Sequence, residues 1–227
     1  MSLPLAASFR ALLRPRSAFS SPAPPLGQAA WAMARIWVPL ALLNAGWSAW
    51  RGLEVYGALR AGRDPLPFLG SLGLDPVEIQ DLLAGLPPPP TFGRIWPWLL
   101  LVVPFGVLGT WLHHAVWDHT GLWLVGGLKE QRGFRTSLLA EAEALRITAV
   151  GTLVGFLGFL PGLGMLLALP LLLLDAYLWI FRGLALAARH GCEPWRGIAA
   201  TVVHAFLVGC FALAMLSLML FMARMAV

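Results

Sequence analysis

Three histidines and an aspartate fall within seven positions of the stretch HHAVWDHTGLWLVGG, residues 113–127. Such residues could hold a metal ion, carry a proton, or sit at the wet end of a membrane helix. On a helix His114 and Asp118 are four apart and share a face, as do His113 and Trp117. His119 lies about 140° round from His114, at roughly 100° per residue. No single face carries three ligands, and the HExxH spacing that makes a zinc motif specific is not present. His114 and Asp118 are the candidate metal ligands. A site on them needs donors from another helix, and Asp175, His204 and Glu141 are the obvious suppliers. The plainer reading is a cytoplasmic-interface cluster of His113, His114, Asp118 and His119, where a helix leaves the membrane among tryptophans.

A second group lies inside apolar sequence. Asp175, in LLLLDAYLWIFRGL, falls near the midpoint of the fourth apolar segment, and a carboxylate at mid-bilayer costs about 3 kcal/mol on insertion scales, so it calls for a partner. Asn44 is expected at similar depth in the first apolar segment. Arg182 follows Asp175 by two turns, and His204 is expected near the level of Arg182. These four are the intramembrane polar candidates. Asp175 is read either as a structural carboxyl bonded by an amide, or as part of a polar path through Arg182, His204 and His114.

Nothing in the sequence is specific to an enzyme. There is no GxSxG, no Walker loop, no GxGxxG ahead of a helix and no HExxH. No catalytic residue and no cofactor is expected. Cys192 and Cys210 stand 18 apart without CxxC spacing, which gives neither a disulfide nor a zinc site.

The elements that must position these residues are apolar. Of 227 residues 59% are hydrophobic and 12% charged, with a mean hydropathy of +0.75. Ordinary soluble chains are nearer half apolar and a quarter charged, so the composition implies an all-α, polytopic membrane protein. Five segments approach the roughly 20 residues that span a bilayer core: 31–50, 95–117, 145–160, 163–188 and 197–223. The third is short and must borrow a turn or more from the preceding AEAEALR. PGLG at 161–164 reads as a tight reversal, and GTLVGFLG at 151–158 sets glycines where another helix can approach.

Basic residues set the orientation. Arg10, Arg14, Arg16, Arg35, Lys129, Arg132, Arg135, Arg146, Arg182, Arg189 and Arg196 fall on one side, against Arg51, Arg60, Arg63, Arg94 and Arg224 on the other. The excess predicts five transmembrane helices with the N-terminus inside and the C-terminus outside. Residues 1–30 form a cytoplasmic N-terminal segment without a signal-peptide h-region, and 31–223 form the membrane domain. Its outer loop, 51–94, includes a short amphipathic helix that Asp75 caps and Pro76 begins. The net charge of +5 is dispersed, which argues against nucleic acid as a partner. Lys129 is the only lysine among the 16 basic residues, a bias that points to a GC-rich, bacterial source and hence to a bacterial inner membrane.

The order of features resembles the Yip1 domain family. FRALLRPRSAF is similar to that family's Pro-x(3)-Phe lead-in, with Pro15 and Phe19. HTGLWLVGG followed by GFRTSLLA resembles its His–apolar–Gly-Gly run and the following Gly-Phe, with His119, Gly126, Gly127, Gly133, Phe134 and Ser137. FLPGLGMLL is similar to its Pro-Gly hairpin. LWIFRGLALAARHGCEPWRGIAATV resembles its aromatic–Gly-Leu–His-Gly passage, with Trp179, Gly183, Leu184, His190, Gly191 and Ala199. The resemblance implies a five-span fold and a non-enzymatic membrane scaffold or adaptor that meets the lipid bilayer, a membrane-protein partner or a second copy. It carries over no catalytic residue. The extended N-terminal region of eukaryotic relatives is missing, so a Rab-type GTPase partner is not carried over. The alternative is a small transporter or channel subunit with a polar path through Asp175, Arg182 and His204.

Overall fold

The computed structural model describes residues 4–61, 85, 87–128, 133–159 and 163–225. Every element among them is helical: α1 (Pro4–Leu13), α2 (Pro15–Ala18), α3 (Leu26–Arg60), α4 (Phe92–Leu124), α5 (Phe134–Gly155) with a following 3₁₀ turn (Phe156–Phe159), α6 (Leu163–His190) and α7 (Pro194–Met225). Pro4, Pro15 and Pro194 each open a helix, where the missing N–H has no intrahelical partner to lose. The amphipathic helix expected from Asp75 onward and the head of the PGLG reversal lie outside the described residues.

Among the described residues four helices are long and apolar enough to cross a membrane, over Leu26–Ala58, Phe92–Leu124, Leu166–His190 and Pro194–Met219. At 1.5 Å per residue the 35 residues of α3 rise about 52 Å. That exceeds the roughly 30 Å hydrocarbon core, so its ends reach past it. The expected third span does not join them. Residues 145–160 belong to α5, which begins at Phe134 and carries Glu141, Glu143 and Arg146. Those charges keep it below the apolarity of its neighbours. Instead it is enclosed by protein: Ala140, Glu141, Ala142, Ala144 and Ala149 are fully buried.

The chain forms two compact units, one of residues Met1–Trp37 with Val107–Val227 and one of Val38–Gly106. Within the second, Trp96 packs against the bare backbone of Gly46 and stacks obliquely on Phe92 at 5.8 Å between centroids. The Tyr56 hydroxyl donates to the Pro87 carbonyl at 2.7 Å.

The first unit is built around α5. Trp37 and Trp111 donate their indole N–H to the carbonyls of Leu145 and Leu138, at 2.6 and 2.8 Å. A core of Leu12, Phe19, Ala144, Ile147, Val150, Leu178, Phe181 and Ala185 seats the N-terminal segment on α5 and α6. Tyr177 donates to the Leu12 carbonyl at 2.5 Å. Leu122, Ala140, Leu186 and Ala200 form a second core. Helices α6 and α7 touch backbone to backbone: a Cβ on Gly183 would lie 2.6 Å from the Ile198 Cα, and one on Gly197 would strike the Gly183 carbonyl. Of the close approach expected along 151–158, the part at Gly151 is present: a Cβ there would overlap the Leu178 side chain of α6. Gly155 faces open space.

Candidate functional site

The His-rich stretch and the Gly-Gly that follows it end α4 in one way and serve it in another. Gly126 adopts φ +67°, its N–H bonds the Trp123 carbonyl at 3.0 Å, and the Gly127 N–H bonds Leu122 at 2.8 Å. This is a Schellman cap, whose left-handed residue favours glycine. Gly191 ends α6 likewise, with φ +63° and the Cys192 N–H on the Ala187 carbonyl at 3.1 Å. These turns and the start of α7 line a cavity of about 440 Å³ with Arg196 and Glu193. The Arg196 guanidinium already donates to Glu193 at 2.8 Å and to the Gly126 carbonyl.

One turn and more inside the α4 cap, Asp118 is fully buried. Its Oδ2 accepts from the Arg182 Nη2 of α6 at 2.7 Å, and its Oδ1 lies 2.5 Å from the His204 Nδ1 of α7. The Arg182 Nε donates to the Glu141 Oε2 of α5 at 3.3 Å. His114, one turn from Asp118 on the same face of α4, brings its Nδ1 within 3.9 Å of that oxygen. Four helices thus meet at one charged centre. Arg182 lies over the Trp179 ring at 4.6 Å, a favourable place for a desolvated cation. His204 is walled by His113, His114, Trp117 and Trp179, with ring centroids 5.3–6.4 Å away.

Charge balance distinguishes this centre from an ordinary ion pair. Asp118 and Glu141 carry two negative charges when ionised, and Arg182 supplies one positive charge. Neutral histidines leave one charge over, in a place where an unpaired charge is costly. The Glu141 Oε1 is buried with no hydrogen-bond partner. Both carboxyls bond the same guanidinium, Asp118 at Nη2 and Glu141 at Nε, so a proton on either one removes the excess charge.

Two further polar ties hold α5. Ser137 is fully buried between His119 Nδ1 and His190 Nε2, each at 2.9 Å. Arg189 grips Glu143 with two bonds, Nε to Oε2 at 2.5 Å and Nη2 to Oε1 at 2.7 Å. Its third nitrogen reaches the Ser21 carbonyl at 3.0 Å, which fastens the N-terminal segment. Phe19 lies under the same guanidinium at 5.9 Å.

Of the residues singled out in the sequence, Arg182, His204, His114 and Asp118 come together, with His113 at the edge. The interface cluster divides. Asp118 belongs to the buried centre, while His119 joins Ser137 and packs edge-on against Phe134 at 5.5 Å. Asp175 does not join Arg182 or His204; it is exposed on α6 and forms no ion pair among the described residues. Asn44 is exposed in the other unit. Pro15 is half-buried and Phe19 buried. No group of three or more His, Cys, Asp or Glu among the described residues has a metal-holding arrangement. For His114 and Asp118 the reason is visible: both Asp118 oxygens are taken, one by a guanidinium that would repel a divalent ion.

Glu143, Arg189, Ser137 and His190 were not legible as partners. Two arginines seven apart on α6 and the AEAE run of α5 were the available signal, since seven residues make two turns. Compared with protein families, curated proteins and solved structures, the chain finds no match.

Proposed function

We propose that the chain is a non-enzymatic integral membrane protein, a Yip1-type scaffold or adaptor of five crossings with a cytoplasmic N-terminus, in a bacterial inner membrane. The observation that carries this reading is how the bundle uses its charges. Arg182 and Arg189 are turned inward and spent on Asp118, Glu141 and Glu143. Phe206, Phe211, Leu213, Met215, Leu218 and Met222 of α7 are exposed, a surface suited to lipid, a membrane-protein partner or a second copy. In this reading α5 is the fifth crossing. Enclosed by other helices, its two glutamates need not meet lipid, so its low apolarity does not forbid a crossing. The basic residues give the orientation.

Purification in mild detergent with mass spectrometry of bound proteins, lipids and metals tests the function. A partner or second copy in near-equal amount is expected; a lone chain carrying a stoichiometric metal or small molecule would overturn the reading. Cysteine labelling from each side of the membrane at positions 20 and 220 tests the topology: five crossings place these on opposite sides, four on the same side.

A transporter or channel subunit is the second reading. It is favoured by the run of polar contacts from Asp118 through His204 to exposed His113, which replaces the path expected through Asp175.

A further inference from the structure

A buried centre with two carboxyls, one guanidinium and a spare negative charge has two physical ways to neutralise itself: bind a cation or hold a proton. The guanidinium sits 2.7 Å from Asp118 and 3.3 Å from Glu141, where it would repel a metal ion. A proton needs no coordination shell, and one acceptor is ready for it, the Glu141 Oε1, which is buried and has no partner.

The surroundings supply a way in. Asp118 Oδ1 faces His204 Nδ1 at 2.5 Å, and the other nitrogen of that ring, Nε2, faces His113 Nε2 at 3.4 Å. His113 is exposed at the outer edge of the centre. In a neutral imidazole one nitrogen donates and the other accepts, so a ring in line between two partners can take a proton at one side as it gives one up at the other. The groups facing the carboxyl pair are few: His113 and His114 from α4, Arg182 from α6 and His204 from α7, with Glu141 itself the contribution of α5. Arg182 stays protonated throughout and acts as fixed charge. His119 and His190 are occupied with Ser137.

We propose that Asp118 and Glu141 jointly hold one exchangeable proton, and that His204 and His113 form the relay linking it to the edge of the bundle. On release, the carboxyl O–H bond breaks and the proton passes from Asp118 Oδ1 to His204 Nδ1. A proton leaves His204 Nε2 for His113 Nε2 in the same transfer, and His113 loses one from Nδ1 to the medium, so each ring ends neutral. Tautomer exchange resets the rings. The site stands whether the bundle is a scaffold or a transporter subunit, because it needs only the four-helix junction.

The test is infrared difference spectroscopy on the full chain in liposomes, comparing acidic with alkaline medium and reading the C=O stretch of protonated carboxyls. The expected result is a titrating component that is lost in both Glu141→Gln and Asp118→Asn and kept in Asp175→Asn. His113→Phe changes an exposed residue and leaves the fold intact. It should leave the amplitude unchanged while slowing the response to a pH jump by about tenfold or more, as the loss of a positioned proton carrier does. A component that persists in both carboxyl variants overturns the shared proton. So does a wild-type spectrum with no titrating carboxyl. A His113→Phe response as fast as wild type overturns the relay, and that arm stands even if the carboxyl variants fail to fold.

Discussion

Two arginines on α6, seven residues apart, meet two glutamates on α5, two residues apart, yet the results differ. Arg189 and Glu143 form a matched pair: one charge each, two parallel bonds, and a third donor on the Ser21 carbonyl. Arg182 is outnumbered. It divides itself between Asp118 and Glu141, makes a longer bond to the latter, and leaves one carboxyl oxygen without a partner. A balanced bidentate pair holds parts together and has nothing left to exchange. An unbalanced one stays sensitive to whatever brings the missing positive charge. Within one bundle the same residue types therefore make a clasp in one place and a titratable centre in another, and the difference is the single additional carboxylate that α4 contributes.

That contrast can be broken at either pole. The largest effect belongs to Arg182→Met, which strips from two buried carboxyls the fixed cation they share. It should cost about 3–5 kcal/mol of stability, seen as a large fall in Tm in detergent at neutral pH. Adding Asp118→Asn and Glu141→Gln to the same chain should restore most of that loss. Failure to recover would mean that packing, not charge, governs the site.

Arg189→Met should cost less, about 2–3 kcal/mol, since its pair lies nearer the surface. Its particular signature is release of the N-terminal segment, read as faster tryptic cleavage after Arg10 and Arg16. If cleavage rates do not change, Arg189 is not the clasp. Smaller again is Gly197→Ala. The added methyl strikes the Gly183 carbonyl and should cost about 1–3 kcal/mol by forcing α6 and α7 apart. Unchanged unfolding would show that the two helices slide freely.

The smallest expected effect is that of Asp175→Asn. Asp175 is exposed and touches neither arginine, so Tm should not move measurably, in contrast to Asp118→Asn. A fall as large as that of Asp118→Asn would place Asp175 in contact with a partner in the membrane and would make the two carboxylates alike.

The apolar segments were legible because each helix that meets lipid must be apolar along its own length, a property local to the sequence. The third differs from the others for the same reason. Helix α5 is enclosed by protein, so it is free to carry Glu141, Glu143 and Arg146, and its start at Phe134 precedes the apolar stretch by eleven residues. The spacing of His114 and Asp118 gave their shared face correctly, and Arg182 and His204 stood out as polar residues in apolar surroundings. Depth paired Asp175 with Asn44, and the polar path expected through Arg182 and His204 also included Asp175. Height along the helix decided otherwise: Asp175 stands on nearly the same face as Arg182 but two turns, about 10 Å, away, where it is exposed, and only Arg182 lies level with the junction.

Helical periodicity, the two glycine caps and the membrane-compatible composition are properties of neighbouring residues, and the sequence by itself determined them. The charged centre joins residues 41 to 86 positions apart, and only the tertiary structure decided it. Such contacts depend on how four helices are rotated and how closely they pack. Close packing of α6 on α7 at Gly183 and Gly197 brings Arg182 and His204 to the same carboxylate, and no pattern within any one helix specifies that meeting.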